Sequence, residues 1–120
     1  MSTVTEAAER LNAALRTVEG LRVHGDPGAN VDPPAALVGP PRLQWETVCA
    51  EPSSATFVVH VMVAMSERAL GQLWDLVPRV TAAIDGLLPE VSVQTATPGV
   101  FTTGRTDLPS YDITVEVSLS

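Results

Sequence analysis

The sequence predicts a single α+β domain, a mainly antiparallel sheet packed against two helices with a long-looped C-terminal hairpin. Three observations carry this expectation. Two amphipathic helical runs are separated by short strand-like segments, residues 55–65 form a strand that is apolar on both faces, and residues 110–119 alternate apolar with polar residues. At 120 residues the chain is expected to be one domain over 1–120, large enough to bury a core without a metal or disulfide staple.

Thr3 and Glu6 form a capping box, and Val4, Ala7, Ala8, Leu11, Ala14, Leu15 and Val18 mark one face, so a helix is expected over 3–18, ended by Gly20. Residues 21–24, LRVH, read as a short strand. The run GDPGANVDPPAALVGPP, residues 25–41, holds five of the ten prolines and three of the eight glycines. Only one helix and one short strand precede it, too little for a separate domain, so it is not a domain linker. Its paired prolines at 33–34 and 40–41 fix φ and lower the entropy lost on docking, while AALV between them supplies apolar contact area and room for an edge strand at 35–38. The run therefore reads as a shaped segment gripped at a subunit contact.

RLQWETVCA, 42–50, is a further strand with an irregular or edge start, given its proline neighbours. In 55–65, Phe57, Val59, Val61, Val63 and Met65 share one face and Thr56, Val58, His60, Met62 and Ala64 the other, which predicts a central strand covered on both sides. Ser66 then caps a helix whose Leu70, Leu73, Trp74, Val77, Val80 and Ile84 follow the helical period to Gly86. The Pro78 ring clashes with the Trp74 carbonyl, predicting a kink or break near 75–78. VSVQTAT, 91–97, and SYDITVEVSL, 110–119, form a hairpin across a twelve-residue loop, PGVFTTGRTDLP. Tyr111, Ile113, Val115, Val117 and Leu119 give its last strand one dry face. Two helices cover one face of such a sheet, so the other face of strand 55–65 calls for loops or a neighbouring subunit, and hence for an oligomer.

Fourteen acids against seven bases give a net charge of −7, and every base is arginine, as in proteins of GC-rich genomes. The arginines form no run, which argues against tight or sequence-reading nucleic-acid binding. One cysteine excludes an internal disulfide, and the N-terminal residues lack the apolar core of a signal peptide. The longest apolar stretch, 57–65, is far shorter than the ~20 residues that cross a bilayer, so no membrane association is expected.

No residues nominate a reaction. His24 and His60 lack a second ligand at metal spacing; His60, within an apolar strand, reads as a hydrogen-bonded structural histidine, and Cys49 as a buried inert thiol. Asp26 with Asp32 and Asp107 with Asp112 read as solvated loop acids, and GDPG lacks the lysine and helix of a phosphate loop. The expectation is no enzyme activity, no metal and no cofactor. Contact surfaces fit better: Pro33, Pro34, Leu37, Val38, Pro40, Pro41, Trp45, Phe101 and Arg105 are the candidate subunit or partner interface. Phe101, an aromatic on the loop, reads equally as an anchor or as a plug of its own core, whereas Trp74 reads as core.

The helix TEAAERLNAALRTVEGLRV, the segment DPPAALVGPPRLQWE, the unit ATFVVHVMVAMSERALGQLWDLVPRVTAAIDG and the ending DLPSYDITVEVSL together resemble, over nearly the whole chain, the small tail terminator proteins of long-tailed (siphovirus-type) double-stranded DNA phages. The resemblance is one of order and style. It implies an α+β structural virion protein without enzyme activity, made in the host cytoplasm and assembled as a hexameric ring on the tail tube. Such a ring stops polymerisation of the major tail tube protein and joins the head–tail connector protein, and DNA passes through its lumen without specific binding. The acid excess then keeps the lumen from holding the genome. Two other readings stand beside it: another head–tail neck or completion protein, and a small α+β enzyme or ligand-binding domain with a pocket beneath His60 and Cys49.

Overall fold

Helix α1, Val4–Leu15, begins where its cap predicts: the Glu6 amide donates to the Thr3 hydroxyl at 3.1 Å. The computed structural model describes residues 3–24, 31–46, 51–87, 89–103 and 106–119. Ala7, Leu11, Ala14 and Leu15 form the buried stripe of α1, and Val18 continues it past the helix end. The chain turns at Gly20, whose φ of +81° is open to glycine at no steric cost.

Strands β1 (Arg22–His24), β2 (Ala35–Val38) and β3 (Arg42–Gln44) lead into the nine-residue β4 (Ser54–Met62). Helix α2 (Ala69–Asp85) follows, and β5 (Val91–Thr103) and β6 (Thr106–Ser118) close the chain. The described residues form one six-stranded sheet in the order β1-β2-β4-β6-β5, with β3 also on β4. Every pairing is antiparallel except the parallel β1–β2 pair. The sequence expectation of a mainly antiparallel α+β sheet with two helices is met.

β2 is not an edge strand, for it lies between β1 and β4. β2 and β3 pair end to end along one edge of β4, Ala35–Val38 against Val59–Met62 and Arg42–Gln44 against Ser54–Thr56. Gly39, Pro40 and Pro41 occupy the break between them, where prolines forfeit no ladder hydrogen bond. The Gly39 amide still donates to the Val58 carbonyl at 2.9 Å. A Cβ on Gly39 would lie 3.2 Å from that carbonyl oxygen, so a side chain there would press on the backbone of the central strand.

Phe57, Val59 and Val61 of β4 and Ile113, Val115 and Val117 of β6 face α1 and α2 and form the main core with Leu11, Leu15, Leu73, Val80 and Ile84. The opposite face carries a smaller cluster, Ala35, Leu37, Met62 and Leu108, with Val31 and Phe101 packed against it. The second face of β4 is thus covered in part by the chain's own hairpin.

Three expectations need correction. Helix α2 runs unbroken through Pro78, and its first residue is Ala69 rather than the residue after Ser66; the Ser66 hydroxyl instead accepts from the Arg68 amide at 3.2 Å, ahead of the helix. The ring of Pro78 lies on the exposed side, where one missing intrahelical bond is borne by a helix whose Leu73, Leu76, Val80 and Ile84 are all anchored in the core. The twelve-residue hairpin loop is strand almost to its end: β5 and β6 pair from Val91↔Val117 out to Thr103↔Thr106, with a bulge between Val93 and Thr95. Its Pro and Gly residues read as loop, yet Pro98 and Gly99 sit on the edge strand, where a missing donor is tolerated.

Phe57→Ala should lower unfolding free energy by about 3–5 kcal/mol in chemical denaturation, since Phe57 is the largest fully buried side chain. Gly39→Ala, a change of one methyl group, should also destabilise, by about 1–3 kcal/mol, because its neighbour is a fixed backbone carbonyl.

Candidate functional site

The polar centre of the sheet is a single clasp on the face away from the helices. Register pairs His60 of β4 with Asp112 of β6, and His60 Nδ1 lies 2.7 Å from Asp112 Oδ1. An ionised carboxylate only accepts, so Nδ1 carries the proton. The Phe101 ring packs on the imidazole with centroids 5.4 Å apart and planes tilted by 51°. Phe101 pairs with Leu108, four residues along β6 from Asp112, about 13 Å in a straight strand. The ribbon therefore bends toward this face to bring the two rings together. Gly99 lies over this pair, where a Cβ would make ordinary van der Waals contact with Asp112 Oδ2 at 3.5 Å and Ser110 Oγ at 3.7 Å.

Serine, histidine and aspartate so close together invite comparison with a hydrolase triad. Ser110 is 2 % exposed and its Oγ has no hydrogen-bond partner, while the His60 Nε2 edge faces Gly39. No bond joins the serine to the imidazole, so the proton path of a triad is missing. Among the described residues no group of three His, Cys, Asp or Glu side chains could hold a metal ion. The arrangement fixes a ribbon; it does not assemble a nucleophile.

The proposed contact residues scatter. Leu37 is buried in the second cluster, and Phe101 is the half-buried plug just described. Pro33 and Pro34, joined by a cis peptide bond, line a depression with Glu19, Val63, Leu76 and Arg79. The Arg79 guanidinium donates to the Glu19 carbonyl there at 2.8 Å and ties α2 to the turn after α1. Val38, Pro40 and Pro41 line a different feature, an open cleft of about 450 Å³ against Val4, Ala8 and Asn12 of α1, with Phe57 also lining it. Trp45 is 51 % exposed at the end of β3. Arg105, Cys49 and Asp26 lie outside the described residues.

Sequence reasoning missed an uncovered apolar surface on α2 and the ribbon. Leu70 and Trp74, assigned to the core by helical period, are 54 % and 62 % exposed. The buried stripe of α2 is Ala69, Leu73, Leu76, Val80 and Ile84; Trp74 lies about 100° round the helix from Leu73. The signal was present as an apolar arc wider than one sheet can cover. Trp74 Nε1 donates to the Tyr111 hydroxyl at 3.0 Å, which lays the indole against the root of the ribbon. Tyr111 pairs with Pro98, and Val100, two residues along on the same face, is 68 % exposed. Met65, 71 % exposed, precedes the helix. The result is an apolar surface running from α2 onto the bare face of the ribbon, where Asp107, bonded to the Thr102 hydroxyl, stands beside Val100.

No protein-family model matches the chain, and no curated protein sequence matches it either.

In ¹⁵N NMR, neutral His60 should appear as the Nδ1–H tautomer, and Asp112→Asn should erode that preference and loosen the ribbon. An Nε2–H tautomer in the unaltered protein would contradict the clasp.

Proposed function

We propose that this protein is a structural component of a phage virion, a tail terminator that forms a ring on the tail tube, stops its polymerisation and offers its other side to the head connector. The observation that carries the reading is that the described surface exposes an apolar face over Leu70, Trp74 and Val100 and an apolar cleft beside Pro40 and Pro41. The order of elements and the segments resembling tail terminators supply the identity of the partners, the major tail tube protein and the head–tail connector protein. Six copies per ring follow from that resemblance, as do residence in the virion and synthesis in the host cytoplasm. Passage of DNA through such a ring suits a chain with fourteen acidic and seven basic residues, since a surface of that balance does not retain phosphates.

Mixing the purified protein with growing tail tube subunits tests the proposal. Tubes should stop at shorter lengths and carry the protein at one end in electron micrographs. Tubes of unchanged length without bound protein would contradict it, and binding to the portal complex instead would assign the chain to a neighbouring neck component. His60→Gln, whose amide can still donate to Asp112 and hold the ribbon, should leave capping intact, since the clasp performs no chemistry. A ligand-binding or enzymatic role for the same residue predicts the opposite.

A further inference from the structure

Among the described residues nothing pairs with the outer edge of β5, and from Val91 to Thr102 this edge strand carries no charged residue. Edge strands are ordinarily guarded by charge, proline or bulges, because their outward amides and carbonyls are a template for another strand. Here only Pro98 and the bulge between Val93 and Thr95 interrupt the edge.

Register shows which backbone groups are free. The Val63 amide donates to the Pro109 carbonyl at 3.1 Å, so odd-numbered residues of β6 turn their backbone groups toward β4 and even-numbered ones toward β5. The Ser118 amide, which donates to the Glu90 carbonyl at 2.8 Å, obeys the same alternation. Thr95, Thr97, Gly99 and Phe101 face even-numbered partners, so Ala96, Pro98, Val100 and Thr102 point their backbone groups outward. Pro98 therefore removes one outward donor and no bond to β6. The side chains divide by face. Exposed Ala96, Pro98 and Val100 lie on the helix side, beside Tyr111 and the Trp74 indole bonded to it. On the other face Thr97 pairs with Asp112 and Ser92 with Glu116, while Asp107 stands behind Thr102 on the helix side. Each of these acids is one strand in from the edge, behind a short hydroxyl side chain.

We propose that β5 from Ala96 to Thr102 is a docking edge for an extended segment of a partner protein in which apolar residues alternate with lysine or arginine. The segment adds to the sheet as a further strand. Its apolar face meets Val100 and the Trp74 indole, and its basic face reaches over Thr97 toward Asp112, two strand spacings or about 10 Å away. Asp112 is open to that contact, since its side chain is 42 % exposed while its Oδ1 holds His60. Charge selects the occupant: the chain carries a net −7, and the acids of β6 concentrate that field beside the edge. A second copy does not supply such a strand. The only arginines on its described strands are Arg22, already paired with Asp32 at 2.6 Å, and Arg42 on the three-residue β3. A single added strand buries far less than a standard interface, so the contact is weak and reversible. The inference stands apart from the tail reading, since it uses only the edge, its register and its charge.

An end-capped octapeptide of alternating lysine and valine tests it, with binding followed by NMR amide shifts and hydrogen exchange. The amides of Ala96, Val100 and Thr102, free to exchange in the protein alone, should become protected. Methylating the peptide nitrogens, or replacing its lysines by glutamate, should each weaken binding by about tenfold or more. Val100→Pro, which removes an outward donor and no bond to β6, should do the same. No binding, equal binding of the glutamate peptide, tolerance of methylation, or protection of the same amides by protein concentration alone would each overturn the inference. Peptide binding by a protein that fails to cap tubes leaves it standing and removes the tail reading; capping without peptide binding does the reverse.

Discussion

A mismatch of lengths governs this molecule. A strand of 13 residues extends about 43 Å and a helix of 17 residues about 26 Å, so no helix here can cover β5 and β6 from end to end. The core forms where the lengths overlap, from Ala55 of β4 to Val63 just past it and from Ile113 of β6 to Leu119 just past its end. Beyond Tyr111 the ribbon projects, which accounts for a longest dimension of 49 Å against 28 and 21 Å in the other directions. Apolar residues on the projecting part, Val100 above all, have no partner in the chain.

The other face of the ribbon shows how the chain manages that projection. Phe101 and Leu108 close over Met62, Leu37 and Ala35, and His60 with Asp112 supplies a polar anchor beneath the Phe101 ring. One glycine sits close beside the pair: a Cβ on Gly39 would lie 3.2 Å from the Val58 carbonyl and 3.4 Å from His60 Nε2. The His60–Asp112 pair is partly open to solvent, so its contribution is modest, about 1 kcal/mol. Its value lies in direction: it sets which way the ribbon leans, and therefore which face is left bare.

Much of this was legible in the sequence because periodicity reports local environment. The capping box at Thr3, the stripe of α1, the doubly apolar β4 and the alternation of β6 all express contacts within one or two layers. Phe101 illustrates the boundary: its two readings could be separated only by the register that places it over His60. Leu70 and Trp74 were misplaced because helical period identifies an apolar arc without stating how much of it a sheet can cover. Proline and glycine misled twice, at Pro78 and at Pro98–Gly99, since neither forbids a regular element whose neighbours are anchored elsewhere or whose free edge needs no donor. The contact role proposed for Pro40 and Pro41 rests on the cleft they line, a feature made by α1 from about thirty residues away that no local pattern encodes.

The central claim is that the surface left bare by the short helix is covered when a partner strand docks on β5. Trp74 reports on it directly, because it sits at 62 % exposure where α2 meets the ribbon. With Trp45→Phe removing the other indole, acrylamide quenching of Trp74 fluorescence should be strong in the free protein and fall as the lysine–valine octapeptide is added. Quenching that stays constant while the peptide binds would contradict the account.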